Sequence, residues 1–159
     1  MIAVFDCMVY LQGVARSNGP ASGCFDMVRN RDVRLYLSNE TLAEIEDVVT
    51  RPKFRKRFQH LSDKMIEEFL FEIIGLAVIF PKVKTHYQFP RDPKDEKYIN
   101  LAIETKANYI VSRDNDLLDL MTDFTDEAKD FRQRFRGLKI VDPIEFLRIV
   151  RESDLSLNP

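Results

Sequence analysis

DPKDEKYINLAIETKANYIVSRDNDLL, residues Asp92 to Leu118, reads as a helix opened by acids, a short buried strand, and two further acids where that strand ends. Asp92 is placed to cap the helix, Pro93 stands where a first-turn proline is tolerated, and Asp95 lies in the positive first turn. Ile99, Ala102 and Ile103 recur at helical spacing and give that helix an apolar face. Asn108 to Val111 then changes to strand chemistry, and Ser112-Arg-Asp-Asn-Asp116 leaves the strand with Leu117 and Leu118 behind it. A helix feeding a buried strand is the unit of a parallel α/β sheet. Such sheets carry their chemistry beyond the carboxyl ends of the strands, where Asp114 and Asp116 would lie.

Working outward, Ile2-Ala-Val-Phe5 is an apolar run closed by Asp6, a central strand whose C-terminal end carries a carboxylate. Met8 to Gln12 can begin a helix, Ser17-Asn-Gly-Pro20 is a turn, and Ala21 to Asn30 fits a helix with Cys24, Phe25 and Val28 on one side. Val33 to Leu37 is a second strand, and Ser38-Asn-Glu-Thr41 starts a helix striped with Leu42, Ile45, Val48 and Val49 until Arg51-Pro52. A basic aromatic segment, Lys53 to His60, precedes a helix from Ser62 through Gly75. Leu76 to Phe80 is a third strand, and Lys82 to Pro90 a loop. Beyond Leu120 come a polar helix, a strand from Leu138 to Val141, and a helix opened by Asp142-Pro143. Alternation of strand and helix predicts a three-layer α/β/α sandwich around a parallel sheet of about five strands. Residues 1–150 form one domain, with 151–159 a loose tail.

Composition agrees with an ordered domain: 159 residues, 45% hydrophobic and 31% charged, are enough to bury a sizeable core. The formal charge of −2 does not exclude a nucleic-acid partner, because basic residues bunch locally. Cys7 and Cys24 make no metal-ligand spacing and read as reduced thiols of a cytoplasmic protein. The start MIAVFDC is unlike a signal peptide. The longest apolar stretch, Phe69 to Phe80, is interrupted by Glu72 and is shorter than the roughly 20 residues of a membrane span.

A parallel sheet brings Asp6, Asp114 and Asp116 to one edge, and Glu44 reaches it on a helix departing from that edge. Each has a structural reading beside the chemical one. Asp92 is taken as a cap and left out of the ligand set. Asp95 can complement the helix dipole, Asp114 can cap the helix of Leu117 and Leu118, and Glu44 can lie on a solvated face. Asp6 is harder to dismiss, since a charge ending an apolar strand needs a partner. Gathered in one cleft, these carboxylates would raise each other's pKa. A divalent cation relieves the crowding, and all-oxygen ligation suits Mg²⁺ or Mn²⁺.

VFD at the start, SNETLAEIEDVVTRPKF, DPKDEKYINLAIETKANYIVSRDNDLL and KIVDPIEFL together resemble the PIN-domain family, and within it the VapC-like toxins of toxin–antitoxin systems. The likeness runs from Ile2 to Leu147 in the correct order. It implies a metal-dependent ribonuclease on a parallel α/β/α sandwich. Asp6, Glu44, Asp95 and Asp114 match the family's four acids, Asp116 is an auxiliary acid, and Ser112 supplies a hydroxyl to orient a carboxylate or water. The implied partners are single-stranded RNA, a cognate antitoxin protein and a second copy of the chain in a homodimer, with no membrane. There are departures. Cys7-Met8 replaces the family's usual Thr-Asn after the first acid, which puts support of that ligand in doubt and leaves open a degenerate module that binds RNA or a protein. A phosphatase using Asp6 as nucleophile would want an acid where Met8 stands. Residues 122–137 are longer than the family needs and read as a private insertion.

Two basic clusters remain, Arg51 to Lys64 with Phe54 and Phe58 interleaved, and Lys129 to Lys139. The two phenylalanines, at i and i+4, are expected to pack inward, while the cations are available to an RNA backbone. Cys7 has no histidine or base nearby in sequence and is not expected to act as a nucleophile.

Overall fold

The computed structural model describes residues 1–16 and 18–157, so the expected turn at Ser17–Pro20 begins on a residue outside the described ones. Elements run β1 (Ile2–Phe5), α1 (Cys7–Ala15), α2 (Pro20–Arg29), β2 (Arg34–Ser38), α3 (Asn39–Thr50), α4 (Pro52–Arg57), α5 (Asp63–Leu76), β3 (Val78–Phe80), α6 (Glu96–Glu104), β4 (Tyr109–Val111), α7 (Asn115–Thr122), α8 (Asp126–Arg134), β5 (Lys139–Val141) and α9 (Pro143–Leu157). The five strands form one sheet in the order β3-β2-β1-β4-β5, and every pairing is parallel. All five expected strands are present.

Period-two alternation in the central strand divides the core. Ala3 and Phe5 point into a cluster with Cys24, Phe25, Ile73 and Phe146, on the side of α1, α2, α5 and α9. Val4 points to the opposite cluster, where Ile99, Leu101, Leu117 and Phe131 bring in α6, α7 and α8. Helices therefore cover both faces, which is why β1, β2 and β4 are apolar on both sides. A smaller cluster of Leu11, Val49, Phe54, Leu61 and Ile66 binds α1, α3, α4 and α5.

The third strand, read from Leu76, starts at Val78 because α5 runs on through Leu76, and two boundaries differ by more than that. The helix read as starting at Asp92 begins at Glu96, with Asp95 as its N-cap residue. Residues Asp92 to Asp95 form a turn instead, in which the Asp95 amide donates to the Asp92 carbonyl at 3.1 Å and the Lys94 amide to Asp92 Oδ1 at 2.9 Å. Asn-, Asp- and Pro-rich turns compete with helix starts through this same local bonding. At the C-terminus α9 runs to Leu157, so residues 151–157 are helical where a loose tail was expected; residues 158 and 159 lie outside the described ones.

The loop before Asp92 is tied down. The amides of His86 and Tyr87 both donate to Asn100 Oδ1, at 2.6 and 2.9 Å, and the Phe89 amide donates to Glu96 Oε2 at 3.0 Å. Arg91 reaches Asp119 and Asp123, each at 3.3 Å. Tyr87 packs edge-on against Phe131 and Phe135 of the 122–137 segment. That segment thus holds the approach to the acidic turn.

Candidate metal centre

β1 and β4 are neighbours at the point where the strand order reverses direction, the place where parallel sheets open a crevice. Asp6 follows β1 and Ser112 follows β4. The Asp6 amide donates to the Val111 carbonyl at 3.0 Å, fixing the two strand ends side by side. Asp6 is buried and serves as the N-cap of α1, its Oδ1 accepting from the Val9 amide at 3.0 Å. Its other oxygen, Oδ2, accepts from the Ser112 hydroxyl. Ser112 Oγ accepts in turn from the Asp114 amide at 2.9 Å. One hydroxyl therefore sets both acids in a common frame. The Val9 amide and Ser112 thus engage both carboxylate oxygens of Asp6, the acid followed by Cys7-Met8.

Asp114 is the N-cap of α7 and accepts from the Asp116 amide at 2.8 Å. Asp92, Asp95 and Asp114 each offer a carboxylate oxygen, and these oxygens lie within 4.8 Å of one another. All three residues are partly buried. Asp6, Glu44 and Asp116 are outside that trio. Sequence reading gave Asp92 to capping and left it out of the ligand set, whereas the N-cap of α6 is Asp95 and Asp92 lies three residues before it on a turn, with its carboxylate near those of Asp95 and Asp114.

Glu44 has other partners. Its Oε2 accepts from the Tyr98 hydroxyl and pairs with Lys97 Nζ at 3.3 Å, both from the first turn of α6. The Lys97 side chain is only 13% exposed, so an ammonium is enclosed beside the acids.

The electrostatics show convergence. Burial raises Asp6 from 3.8 to about 6, against the lowering pull of Ser112 and the backbone amides, and Asp114 adds to the rise. Burial also raises Asp95 from 3.8 to about 7, followed by the charges of Asp92, Asp114, Asp6 and Glu44. Acids from β1, α3, the turn before α6 and the end of β4 thus share one field. Burial, then Glu44 and Asp6, push the Cys7 thiol up to about 12, which keeps it protonated and without nucleophilic use. Burial and the Glu44 bond likewise raise Tyr98 well above its ordinary value of 10. Three carboxylates in this arrangement, with no sulfur or imidazole in the trio, make a donor set fit for a hard divalent cation.

The family model described as PIN domain matches residues 3–116, a span that contains every acid above. The chain belongs to the PIN-domain family, whose members are generally metal-dependent nucleases. An uncharacterized protein of Methanocaldococcus jannaschii is 30% identical over 144 residues, covering 91% of this chain and 88% of that protein. No solved structure matches the chain significantly. Among the described residues, no helix is long and apolar enough to cross a membrane.

Proposed function

We propose that this chain is a divalent-metal-dependent endoribonuclease that cleaves single-stranded RNA. The observation that carries the reading is the meeting of Asp92, Asp95 and Asp114 beside the Ser112–Asp6 bond, at the carboxyl edge of a PIN fold. Asp95, Asp114 and Asp92 would hold Mg²⁺ or Mn²⁺, with Asp6, Asp116 and Glu44 as further acids of the same centre. A divalent cation held by these residues would supply polarisation of a phosphodiester and a bound water of lowered pKa.

The chain's own groups supply the rest. Ser112 orients the Asp6 carboxylate, while the Val9 amide occupies its second oxygen. Lys97 neutralises Glu44, which lowers the negative charge that the edge presents to a phosphate. The turn at Asp92–Asp95, held by Asn100, Glu96 and Arg91 contacts through its preceding loop, keeps two carboxylates preorganised.

Resemblance to the VapC-like branch supports a finer reading: a cytoplasmic toxin of a toxin–antitoxin pair, acting as a homodimer and held in check by a cognate antitoxin protein. Two unpaired cysteines, Cys7 and Cys24, agree with a reducing compartment. Purified protein with Mn²⁺ is expected to cleave single-stranded RNA internally, and chelation or Asp6→Asn is expected to stop it. Cleavage that survives both changes overturns the assignment.

A further inference from the structure

A groove of about 370 Å³ lies between α1, the C-terminal half of α3 and α4. Two of its lining residues follow acids on the same helices: Met8 is two residues after Asp6 on the first turn of α1, and Val48 is one helical turn beyond Glu44 on α3. The floor is apolar, formed by Leu11, Ala15 and the paired rings of Phe54 and Phe58, whose centroids stand 4.9 Å apart. Phe54 is buried in the core beneath, as its spacing predicted, whereas Phe58 remains partly open to the groove.

The rim is cationic. Arg16, Arg51, Lys53 and Arg57 all line it. Arg51 is paired with Asp47, but among the described residues Arg16, Lys53 and Arg57 make no ion pair with a carboxylate. The Arg57 guanidinium lies 5.3 Å from the centroid of the Phe58 ring, presenting a charge directly above an aromatic face.

We propose that this groove is a nucleobase subsite for single-stranded RNA, taking a base that flanks the phosphate held at the acidic edge. The assignment rests on RNA as the substrate. Aromatic floor and phosphate-binding rim are the two parts a single strand requires, since stacking accepts any base and cations track the backbone. Cations here also answer a local need: an edge crowded with carboxylates repels the strand it must bind, and Lys53, Arg57 and Arg16 supply unpaired positive charge along the groove. An acidic amphipathic peptide would satisfy the same rim, but the groove is built on the helix that Asp6 caps and the helix that carries Glu44, which favours the nucleic acid.

The test is fluorescence anisotropy with a labelled single-stranded RNA octamer in EDTA, where the strand stays intact. Phe58→Ala is expected to weaken binding by about 5- to 100-fold with an unchanged salt slope. Lys53→Glu with Arg57→Glu, both exposed, should weaken binding and flatten the slope by about 0.7 per residue. An octamer made abasic throughout should bind wild type about as weakly as the intact strand binds Phe58→Ala. If thermal melting shows Phe58→Ala to be unfolded, Gln12→Trp, which fills the groove from its wall, takes its place. Wild-type affinity in Phe58→Ala or Gln12→Trp, or a groove that loses only an acidic helical peptide, overturns the subsite. Cleavage is read separately with Mn²⁺. RNA binding that needs the groove in a chain that never cleaves would retain the subsite and remove the nuclease reading; cleavage with binding indifferent to the groove would do the reverse.

Discussion

Ser112 and Asp6, 106 residues apart in the chain, are joined by a hydrogen bond from the serine hydroxyl to Asp6 Oδ2 inside the protein. The same oxygen of Ser112 receives the Asp114 amide at 2.9 Å. A strand-end acid from β1 and a helix-cap acid after β4 are thereby held by one small side chain, itself fully buried. Parallel pairing of β1 with β4, Phe5 opposite Val111, is what brings them together.

Replacing Ser112 by Ala should therefore act at two places. Asp6 loses a donor that favours its charged form, and the Asp114 amide loses its acceptor. A buried group left without its partner costs about 1–3 kcal/mol, so urea unfolding should show a loss of that size. RNA cleavage with Mn²⁺ should fall by roughly 10- to 100-fold, the range seen when a ligand loses its orienting contact. Ser112→Thr keeps the hydroxyl and should retain most of both. Wild-type cleavage by Ser112→Ala would mean that Asp6 orients without it.

The placement of Asp92 yields a comparison among acids. Asp92→Asn and Asp95→Asn should each weaken Mn²⁺ binding by about tenfold or more, measured by calorimetry, since each removes a charge from the trio. Asp116→Asn lies outside the trio and should leave binding nearly unchanged. Equal losses at Asp92 and Asp116 would show that the cation sits elsewhere along the edge.

Much of this site was legible because its residues sit where elements end. Asp6 closes an apolar run and Asp114 follows another, and periodicity alone puts both on one sheet edge. Asp92 was misread for a local reason: Asp-Pro-Lys-Asp suits a helix start and an Asx turn equally, and the choice depends on how the loop from Lys82 to Arg91 is anchored on α6, α7 and α8. The engagement of Glu44 by Lys97 and Tyr98 was invisible because it joins α3 to α6 across more than fifty residues. Acidic spacing along α3 could not reveal a cation arriving from another helix. The inward packing of Phe54, by contrast, followed from spacing within one turn.

The 122–137 segment makes a stability prediction. Phe131 is fully buried, edge-on to Tyr87 and tilted against Phe135, each with ring centroids 5.2 Å apart, and so joins α8 to the loop that precedes Asp92. Phe131→Ala should cost about 3–5 kcal/mol by denaturant unfolding. It should also release protection from hydrogen exchange at the amides of His86 and Tyr87, whose bonds to Asn100 it supports from behind. A small loss confined to α8 would make the segment an appendage with no part in holding the loop.

The raised carboxyls give the metal-free protein an inverted pH response. Asp6 titrates at about 6 and Asp95 at about 7 in the folded chain, against 3.8 for each when unfolded. Between about pH 4 and 7 the native state thus holds protons that the unfolded state has lost, and stability must fall as pH rises through that window. Below it both states are protonated and the effect is complete. Glu72, Glu104 and Glu145 are lowered by Arg29, His86 and Arg148, and their contributions disappear only as pH drops below their ordinary 4.5, so they do not mask the trend. In EDTA the urea midpoint should therefore climb from pH 8 to pH 5. The climb should shrink in Asp6→Asn with Asp95→Asn, since neither amide titrates. Saturating Mn²⁺ should raise the midpoint most at pH 8, where the cation replaces the missing protons. A midpoint independent of pH in wild type, or equal slopes in wild type and the double variant, would show that these acids are not crowded in solution.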